Sequence, residues 1–460
     1  MLGSFAVAWE AEVVIAAQKR ARGEKTLGMR SHTFQTERDK EMKSEIRAGG
    51  MTAPEAVLKL SDIADQQDPY GFYSRLREQG RLHRVELPDG RKAWLVTGYD
   101  DIVSLLLDHE NFSNRTMVSQ SSQPQLSAWA AELMTLFGLI MSSSDPPDHT
   151  RLRSLVEKAF SRPLISELRP YIQQLSDELL DVVEERARRT GERTIDLVAD
   201  YAFPLPAGVI MRLLGVPAAD REKIRLWSEQ LIRFDRTPQS AEELAPKVSG
   251  FIDYVKSLLH EKRAHPATDL LSVLTRSSEE GRLTDLELVS LTFQLIFGGH
   301  TTTSHLIGNG VLALLTHPDE LKVLKREPGL IGSAIEELLR YDAPQQIRAR
   351  VAAADTEIAG VRIRKGEVVL LALASGNRDP ARFHAPDDLD ICRQDNRHLS
   401  FGLGIHRCFG LALARLEAEI AILNLLQRMP NLRLTVPAEQ LRWPVSGLHQ
   451  RGLAELPLAF

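Results

Sequence analysis

Apolar residues recur along most of this chain at intervals of three and four, which is the spacing of an amphipathic helix. From about residue 148 to residue 264 this pattern is interrupted mainly around four prolines, Pro204, Pro206, Pro217 and Pro238. Such a long run of helical periodicity predicts that helices make up most of the fold.

Two shorter stretches alternate apolar and polar residues instead. Residues 82–98 do so around Pro88-Asp89-Gly90, which predicts a β-hairpin. Residues 348–374 form a second predicted β region, with turn glycines at Gly360 and Gly366, and the segment near the C-terminus reads as short strands and turns. Small β patches set apart from the helices indicate a mainly α protein of the α+β class rather than βαβ alternation.

One predicted helix is unusually long. Thr284 and Glu287 fit the capping-box pattern T-x-x-E, and the apolar periodicity continues to His317, where Pro318 ends it. An unbroken helix over this range would be about 50 Å long at 1.5 Å per residue.

The middle of that helix contains FGGHTTTSH, residues 297–305, a poor helix-forming sequence in which each glycine costs about 1 kcal/mol relative to alanine. One interpretation is that Gly298-Gly299 separates two helices. The other is a single helix in which the glycines let a flat group approach the backbone. Thr302 would then hydrogen-bond the carbonyl of Gly298 and bend the helix locally.

Composition changes this picture little. The chain has 460 residues, of which 26% are charged, and a formal net charge of −5, without a strong basic excess or a basic run that would indicate a nucleic-acid or membrane surface. No segment is apolar over a length that spans a bilayer, and the N-terminus does not fit a signal peptide. Two cysteines, Cys392 and Cys408, argue against a disulfide framework and suit a reducing cytoplasm.

The first 50 residues are predicted to be an N-terminal extension that is poorly ordered or separately helical, because their charged residues show weak periodicity. Met51 is a plausible alternative start. Residues 51–460 are predicted to form a single domain.

Cys408 lies in FGLGIHRCFG, residues 401–410, directly before a long amphipathic helix. A thiolate there would face the N-terminus of that helix, which is expected to lower the pKa of the thiol. Gly402, Gly404 and Gly410 would let the backbone fold closely around the sulfur. Zinc or an iron–sulfur cluster requires further cysteines, whereas a single thiolate suits haem iron. A free cysteine without a function is the alternative.

The stretch HLSFGLGIHRCFGLALARLE, residues 398–417, resembles the haem-binding loop of the cytochrome P-450 superfamily, F-x-x-G-x-x-x-C-x-G. Other motifs of that family follow in the same order along the chain. EELLR (336–340) matches E-x-x-R, DPPDHTRLR (145–153) matches H-x-x-x-R, and GGHTTT (298–303) matches the central-helix motif. The resemblance covers nearly all of residues 55–460 and implies a large helical domain with small sheets and a haem beside its central helix.

The resemblance also assigns residues to the cofactor, haem b. Cys408 matches the axial ligand of the iron, whose thiolate favours O–O cleavage. Phe401, Gly402 and Gly410 would surround that sulfur. His149, Arg153, Arg350 and His406 match positions that contact the haem propionates. Glu337 and Arg340 would form a buried structural ion pair, with an exposed helix-surface pair as the alternative.

Thr302 matches the threonine that helps to protonate iron-bound dioxygen. The family usually has Asp or Glu just before it, and this chain has Thr301. That departure leaves several proton sources open, including ordered water, the two threonine hydroxyls, His300 or a hydroxyl of the substrate.

The resemblance implies a monooxygenase that inserts one atom of O2 into a small organic molecule, by hydroxylation or epoxidation. The expected substrate resembles a polyketide or macrolide of secondary metabolism. Expected pocket residues lie in 113–140, around 217–250 and near the haem, and the last group comprises Ile296, Phe297, Gln345, Gln346, Ile347 and Leu448.

Electrons from NAD(P)H are expected to arrive through separate proteins, a ferredoxin and its reductase, because no flavin or iron–sulfur module is recognised in the sequence. Arg151, Lys158 and Arg407 are candidate docking residues on the cysteine side of the haem. The enzyme is expected to be a monomer.

Two other functions stay open at this point. One is a haem-binding sensor or carrier without turnover. The other is an atypical oxidation on the same scaffold, such as coupling, dehydration or a reaction driven by peroxide, which the absence of an acid at position 301 keeps open.

Overall fold

The computed structural model describes residues 58–60, 68–87, 90–115, 135–136, 138–157, 160–220, 223–224, 227, 238–443 and 449–460. The predicted N-terminal extension, residues 1–50, lies outside them. Helices dominate, and the predicted mainly α fold with small separate sheets is confirmed.

Thirteen α-helices are present in the part of the chain that the structure describes. In chain order they are α1 (Pro69–Gln79), α2 (Tyr99–Leu107), α3 (Asp148–Glu157), α4 (Arg162–Glu167), α5 (Arg169–Thr190), α6 (Pro204–Leu214), α7 (Pro238–Ala264), α8 (Leu270–Glu279), α9 (Asp285–Thr316), α10 (Pro318–Arg326), α11 (Ile331–Tyr341), α12 (Leu373–Asn377) and α13 (Leu411–Arg428). Pro204, Pro238 and Pro318 each begin a helix, which is where a missing backbone N–H costs nothing.

The strands form three small sheets. In chain order they are β1 (Leu58–Lys59), β2 (Leu82–Glu86), β3 (Lys92–Val96), β4 (Phe112–Ser113), β5 (Thr194–Asp196), β6 (Ile347–Ala352), β7 (Thr356–Ile358), β8 (Val361–Ile363), β9 (Val368–Ala372), β10 (Arg433–Leu434) and β11 (Pro457–Ala459). The largest sheet has the order β1-β2-β3-β9-β6-β4, and the others are β10-β11-β5 and β7-β8.

Both predicted β regions are therefore confirmed. Strands β2 and β3 pair antiparallel as the first hairpin, with Leu82 opposite Val96. The second region supplies β6 to β9, and β9 joins the two regions because it pairs parallel with β3 and antiparallel with β6.

Helix α9 runs without a break through the glycine-rich stretch, so the alternative of two helices is wrong. The capping box at its start is present in both directions, with the Thr284 hydroxyl accepting from the Glu287 N–H and the Glu287 carboxylate accepting from the Thr284 N–H. A Cβ added to Gly299 would lie 2.7 Å from Cγ1 of Ile210. The absence of a side chain at Gly299 thus lets α6 pack closely against α9.

Glu337 and Arg340 form a fully buried ion pair on α11. Nε and Nη2 of Arg340 donate to the two carboxylate oxygens of Glu337, each over 2.8 Å. Arg340 also donates to the backbone carbonyls of Asn377, Pro386 and Asp388, and Arg393 donates to Glu337. These bonds fix the segment between β9 and the cysteine loop, because the loss of either charge would leave the other buried without compensation.

None of the described helices is long and apolar enough to cross a membrane.

Candidate active site

A cavity lies between the middle of α9 and the loop that precedes α13. Every fourth position of α9 borders it, from Gln294 through Gly298 to Thr302. The opposite wall is formed by Phe401 and the residues from His406 to Gly410, with Cys408 among them. Arg348 and Gln345 border it from the segment that leads into β6.

The cysteine loop is shaped by two glycines with left-handed backbone conformation, Gly402 at φ 63° and Gly404 at φ 68°. A Cβ at Gly404 would lie 2.7 Å from the backbone oxygen of Leu106, so that position also needs glycine for close packing. The loop closes on itself where the Cys408 N–H donates to the carbonyl of Phe401 over 2.9 Å. The thiol is thereby held at one place on the cavity wall.

The pKa of the Cys408 thiol differs from the sequence prediction. Burial raises the pKa above its usual value, and the backbone N–H of Gly410 opposes this shift only in part. The helix N-terminus was expected to lower the pKa, but the loss of water around the sulfur has the larger effect. A thiolate at this position therefore requires a bound cation, which a metal ion would provide.

The residues around Cys408 fit a haem. Among the described residues no group of three or more His, Cys, Asp or Glu side chains could hold a metal ion, so the thiol has no protein co-ligands there. A porphyrin brings its own nitrogen ligands and needs one axial group from the chain. The cavity has the matching arrangement of a single buried thiol on one wall and a glycine-containing helix face on the other.

His149 and His406 lie together at one side of this cavity, with ring centroids 4.2 Å apart. Burial lowers the pKa of His149 to about 4 and that of His406 to about 2, so both imidazoles are neutral at physiological pH. His149 Nδ1 is buried and has no hydrogen-bond partner among the described residues. Neutral imidazoles with free nitrogen atoms are suited to donate hydrogen bonds to a bound carboxylate.

Arg153 has a contact that the sequence did not suggest. Its Nη1 donates to the carbonyls of Ile405 and Arg407, over 2.7 and 2.8 Å, and so ties α3 to the cysteine loop. Arg350 is 5% exposed, and burial together with the nearby Arg348 lowers its pKa to about 9. Within the described part of the chain Arg350 forms no ion pair with a carboxylate. An anionic group in the cavity would supply the missing charge.

Thr302 and Thr301 have different surroundings. Thr302 borders the cavity across from Cys408, whereas Thr301 is buried and donates to the carbonyl of Phe297 over 3.4 Å. The predicted catalytic role of Thr301 is therefore not supported by its position. His300 is also turned away, with Nδ1 2.6 Å from the Ile296 carbonyl oxygen and its ring packed against Phe203.

Glu417 is a site feature that the sequence analysis missed. It lies on α13 and is fully buried, with the hydroxyl of Thr303 as its one polar neighbour that affects its charge. Burial raises its pKa well above the usual range, and the hydroxyl of Thr303 offsets this only in part. A protonated carboxyl group thus lies behind Thr303, which itself borders the cavity. The sequence carried a signal for this residue, because Glu417 is the only acidic residue on the buried face of α13.

Ile296 and Phe297 are not among the residues that border the cavity, and their contact with substrate stays a prediction. Phe297 belongs to an aromatic cluster with Phe251 and Phe293, at centroid distances of 5.2 and 4.5 Å. The helical period explains the difference, because the cavity faces the positions of Gln294, Gly298 and Thr302, and Phe297 faces α7 instead.

Gln346 and Ile347 are likewise not among the residues that border the cavity, and their contact with substrate stays a prediction. Gln346 donates through Nε2 to the carbonyl of Ala343 over 2.7 Å, and Ile347 is fully buried among the side chains of the large sheet. Their neighbours Gln345 and Arg348 border the cavity in their place. Leu448 lies outside the described residues.

The sequence pattern did contain a signal for Arg348. Arg348 and Arg350 are two residues apart on a strand, so their side chains point to the same face of the sheet. Since the resemblance places Arg350 beside the cofactor, Arg348 on the same face of β6 is expected to border the same cavity, as it does.

Comparisons with known proteins agree with this site. The protein-family model described as Cytochrome P450 matches residues 229–443. Cytochrome P450 CYP107DY1 of Priestia megaterium is 43% identical over 418 residues, which span 88% of this chain and 99% of the relative. Polyketide biosynthesis cytochrome P450 PksS of Bacillus subtilis is 38% identical and spans 85% of this chain and 96% of its own length.

A solved structure shows the same fold. P450BioI in complex with hexadec-9Z-enoic acid ligated acyl carrier protein has a TM-score of 0.78 and 39% identity, and the match covers 87% of this chain and all of that one.

Proposed function

The chain belongs to the cytochrome P450 family, and from this premise we propose the residues, substrate class and partners with which it works. The enzyme is a haem-dependent monooxygenase that uses haem b, dioxygen and electrons from NAD(P)H. One atom of O2 enters the substrate, and the other leaves as water with two electrons and two protons. When bound, the haem supplies the activation of dioxygen that the protein's own groups lack.

Cys408 is the axial ligand in this proposal. The observation that carries it is a single half-buried thiol that borders the same cavity as Thr302. The haem carboxylates are held by Arg350 and Arg153 as cations and by His149 and His406 as neutral donors. Phe401, Gly402 and Gly410 enclose the sulfur and exclude water from it, which strengthens its electrostatic interaction with a bound cation.

Protons reach the site through hydroxyl groups of α9. The Thr302 hydroxyl holds and orients a proton at the cavity wall, and Glu417 stores one behind it, next to Thr303. This route replaces the acid that relatives of this family usually carry at the position of Thr301. Its support is the buried, protonated state of Glu417 and the placement of Thr302 and Thr303 on the wall.

The substrate is a polyketide-like molecule of secondary metabolism. Two observations support this class. One is the similarity to the polyketide biosynthesis enzyme PksS. The other is a wall that mixes apolar side chains such as Leu295 with the amides of Gln294 and Gln345. A carrier-bound acyl chain is the second form in which such a substrate could arrive, since P450BioI binds an acylated carrier protein.

A ferredoxin and its reductase deliver the electrons to the cysteine side, and the enzyme works in the cytoplasm as a monomer. Arg407 is exposed there and offers a cation to an acidic partner. Arg151 is a weaker docking candidate because Glu287 already binds it, and Lys158 lies outside the described residues. The two cysteines, both free, suit a reducing compartment.

An atypical oxidation is the second candidate, favoured by the threonine at position 301. Product formation with ferredoxin, reductase and NAD(P)H should exceed that with peroxide alone if the monooxygenase proposal holds. The reverse order would favour the peroxide-driven reaction.

The proposed ligand is tested by Cys408→Ala. The variant should lose the thiolate-type spectrum of the reduced carbon monoxide complex, because no other thiol borders the cavity among its described lining residues. Cys392→Ala is the matched control, since Cys392 is exposed and remote from the site, and it should leave the spectrum unchanged. An unaltered spectrum in Cys408→Ala would overturn the assignment.

A further inference from the structure

Arg348 brings a positive charge to the cavity that no described residue neutralises. It lies on β6, opposite Leu371 of β9, and its side chain borders the same cavity as Cys408 and Thr302. Its guanidinium has neither a hydrogen bond nor an ion pair with any residue that the structure describes. Burial lowers the pKa of Arg348 to about 10. A half-buried cation that borders a cavity without a partner there calls for an anion that the ligand brings.

The haem carboxylates do not need this third arginine. Haem b carries two propionates. Arg350 supplies a cation without a carboxylate partner among the described residues, and we assign Arg153 as the second, since it borders the cavity although it also pairs with Glu157 over 3.3 Å. His149 and His406 add two neutral donors beside them. Arg348 is therefore the surplus cation, and the charge count leaves it for a carboxylate from another molecule.

The polar groups beside Arg348 indicate which other functional groups the ligand carries. Gln345 is 4% exposed, and its Nε2 donates to the carbonyls of Ile347 and His449 over 2.7 and 2.6 Å. Its Oε1 is consequently left without a partner among the described residues, and the same holds for Oε1 of Gln294, which is 5% exposed. Both residues border the cavity, one from each side. Two buried acceptors call for hydroxyl or amide donors on the ligand.

We propose that Arg348 is a specificity-determining residue that binds the carboxylate of the substrate, which is accordingly an oxygenated organic acid with hydroxyl or amide groups directed at Gln294 and Gln345. The inference rests on the proposed function and narrows it: a free acid is preferred to a neutral lactone or ester of the same skeleton.

Alkanoic acids with a terminal imidazole test this directly, because the imidazole binds the haem iron and the chain carries the carboxylate back toward Arg348. A series of graded chain lengths is titrated against the ferric enzyme, with the corresponding imidazolyl alcohols as neutral partners. At the best length the acid should bind about ten- to a hundred-fold more tightly than the alcohol, the range of a hydrogen bond to a charged group.

Variants of Arg348 distinguish a substrate carboxylate from a haem propionate as its partner. Arg348→Gln should abolish the preference for the acid, and Arg348→Lys should restore part of it. Equal binding of acid and alcohol at every length, or a preference that survives in Arg348→Gln, would overturn the proposal. Haem transfer to apomyoglobin is measured in parallel. Faster haem loss from Arg348→Gln without an acid preference in the native enzyme would assign Arg348 to a haem propionate instead.

A failure of the proposed function can be distinguished from a failure of the proposed role of Arg348 by the carbon monoxide spectrum. If the native enzyme gives no thiolate-type carbon monoxide spectrum, Cys408 is not the ligand and the proposed function fails before any titration. If that spectrum is present and the acid preference is absent, only the role of Arg348 fails.

Discussion

At the scale of single residues, the site separates two neighbouring threonines that the sequence could not distinguish. Thr302 borders the cavity and Thr301 donates to a backbone carbonyl of its own helix. The difference arises from the 100° turn between consecutive helical positions, which sends one hydroxyl to the cavity and the other into the core.

Thr302→Ala should uncouple NAD(P)H oxidation from product formation. Without the hydroxyl that holds a proton at the wall, electrons from NAD(P)H should leave as peroxide, and the ratio of product to NAD(P)H consumed should fall several-fold. Thr301→Ala is the matched control and should keep the native ratio, because its hydroxyl lies off the cavity. Equal coupling in both variants would remove the proposed role of Thr302.

The buried carboxyl group of Glu417 predicts how the free energy of unfolding depends on pH. The folded protein keeps the proton of this buried carboxyl, whereas the unfolded chain releases it above its ordinary pKa of 4.5. The folded state then binds more protons than the unfolded state, so Glu417 destabilises the fold increasingly as the pH rises past that value, and not below it. Glu417→Gln removes the titration. Its unfolding free energy relative to the native protein should rise with pH above about pH 5, with a slope that does not exceed about 1.4 kcal/mol per pH unit.

Urea unfolding across that pH range measures the difference. Glu419→Gln, two residues further on α13 and partly exposed beside Arg169, is the control, and its profile should run parallel to that of the native protein. A parallel profile for Glu417→Gln would mean that the Glu417 carboxyl is ionised in the folded state.

At the scale of secondary-structure elements, sequence periodicity predicted the existence and type of the main elements. It could do so because the hairpin at β2–β3, the region of β6 to β9 and helix α9 each carry strong local signals, such as the capping box of Thr284 and Glu287. The continuity of α9 through Gly298-Gly299 was left open. That continuity depends on α6, which packs where Gly299 has no side chain, and a contact between distant segments leaves no local pattern.

The same limit applies to the residues around the cavity. A motif identifies Cys408 and Thr302 by their fixed spacing in the sequence. Which neighbouring residues face the cavity depends instead on how the helix or strand is rotated, and a motif does not specify that rotation. Phe297 and Gln346, predicted at the substrate, pack in the core, whereas Gln294 and Arg348 border the cavity. Oε1 of Gln345 is a buried acceptor without a hydrogen-bond partner among the described residues. Such an atom can be recognised only in the tertiary structure, because packing decides which donors lie near it.

At the scale of the whole molecule, one large core and the sheet core together support the site. Helix α9 packs against α6, α11 and α13, so the cysteine loop and the cavity-facing helix are positioned by the same set of buried side chains. The buried Glu337–Arg340 pair anchors the segment between the sheet and the cysteine loop. A haem held between these elements would therefore stabilise the fold by mass action, because the unfolded chain has no such cavity.

This organisation predicts that residues 51–460 are sufficient for the haem domain. Every buried core residue in the described part of the chain lies at Leu60 or beyond, and the relative from Priestia megaterium matches over 99% of its length within 88% of this chain. A chain that begins at Met51 should bind haem with the same carbon monoxide spectrum as the full chain and unfold at the same temperature. As a control, a chain that begins at Lys92 lacks β2 and should fail to hold haem, because β3 would lose its antiparallel partner. Loss of haem in the chain that begins at Met51 would show that residues 1–50 contribute to the folded domain, and the single-domain boundary would have to move toward the N-terminus.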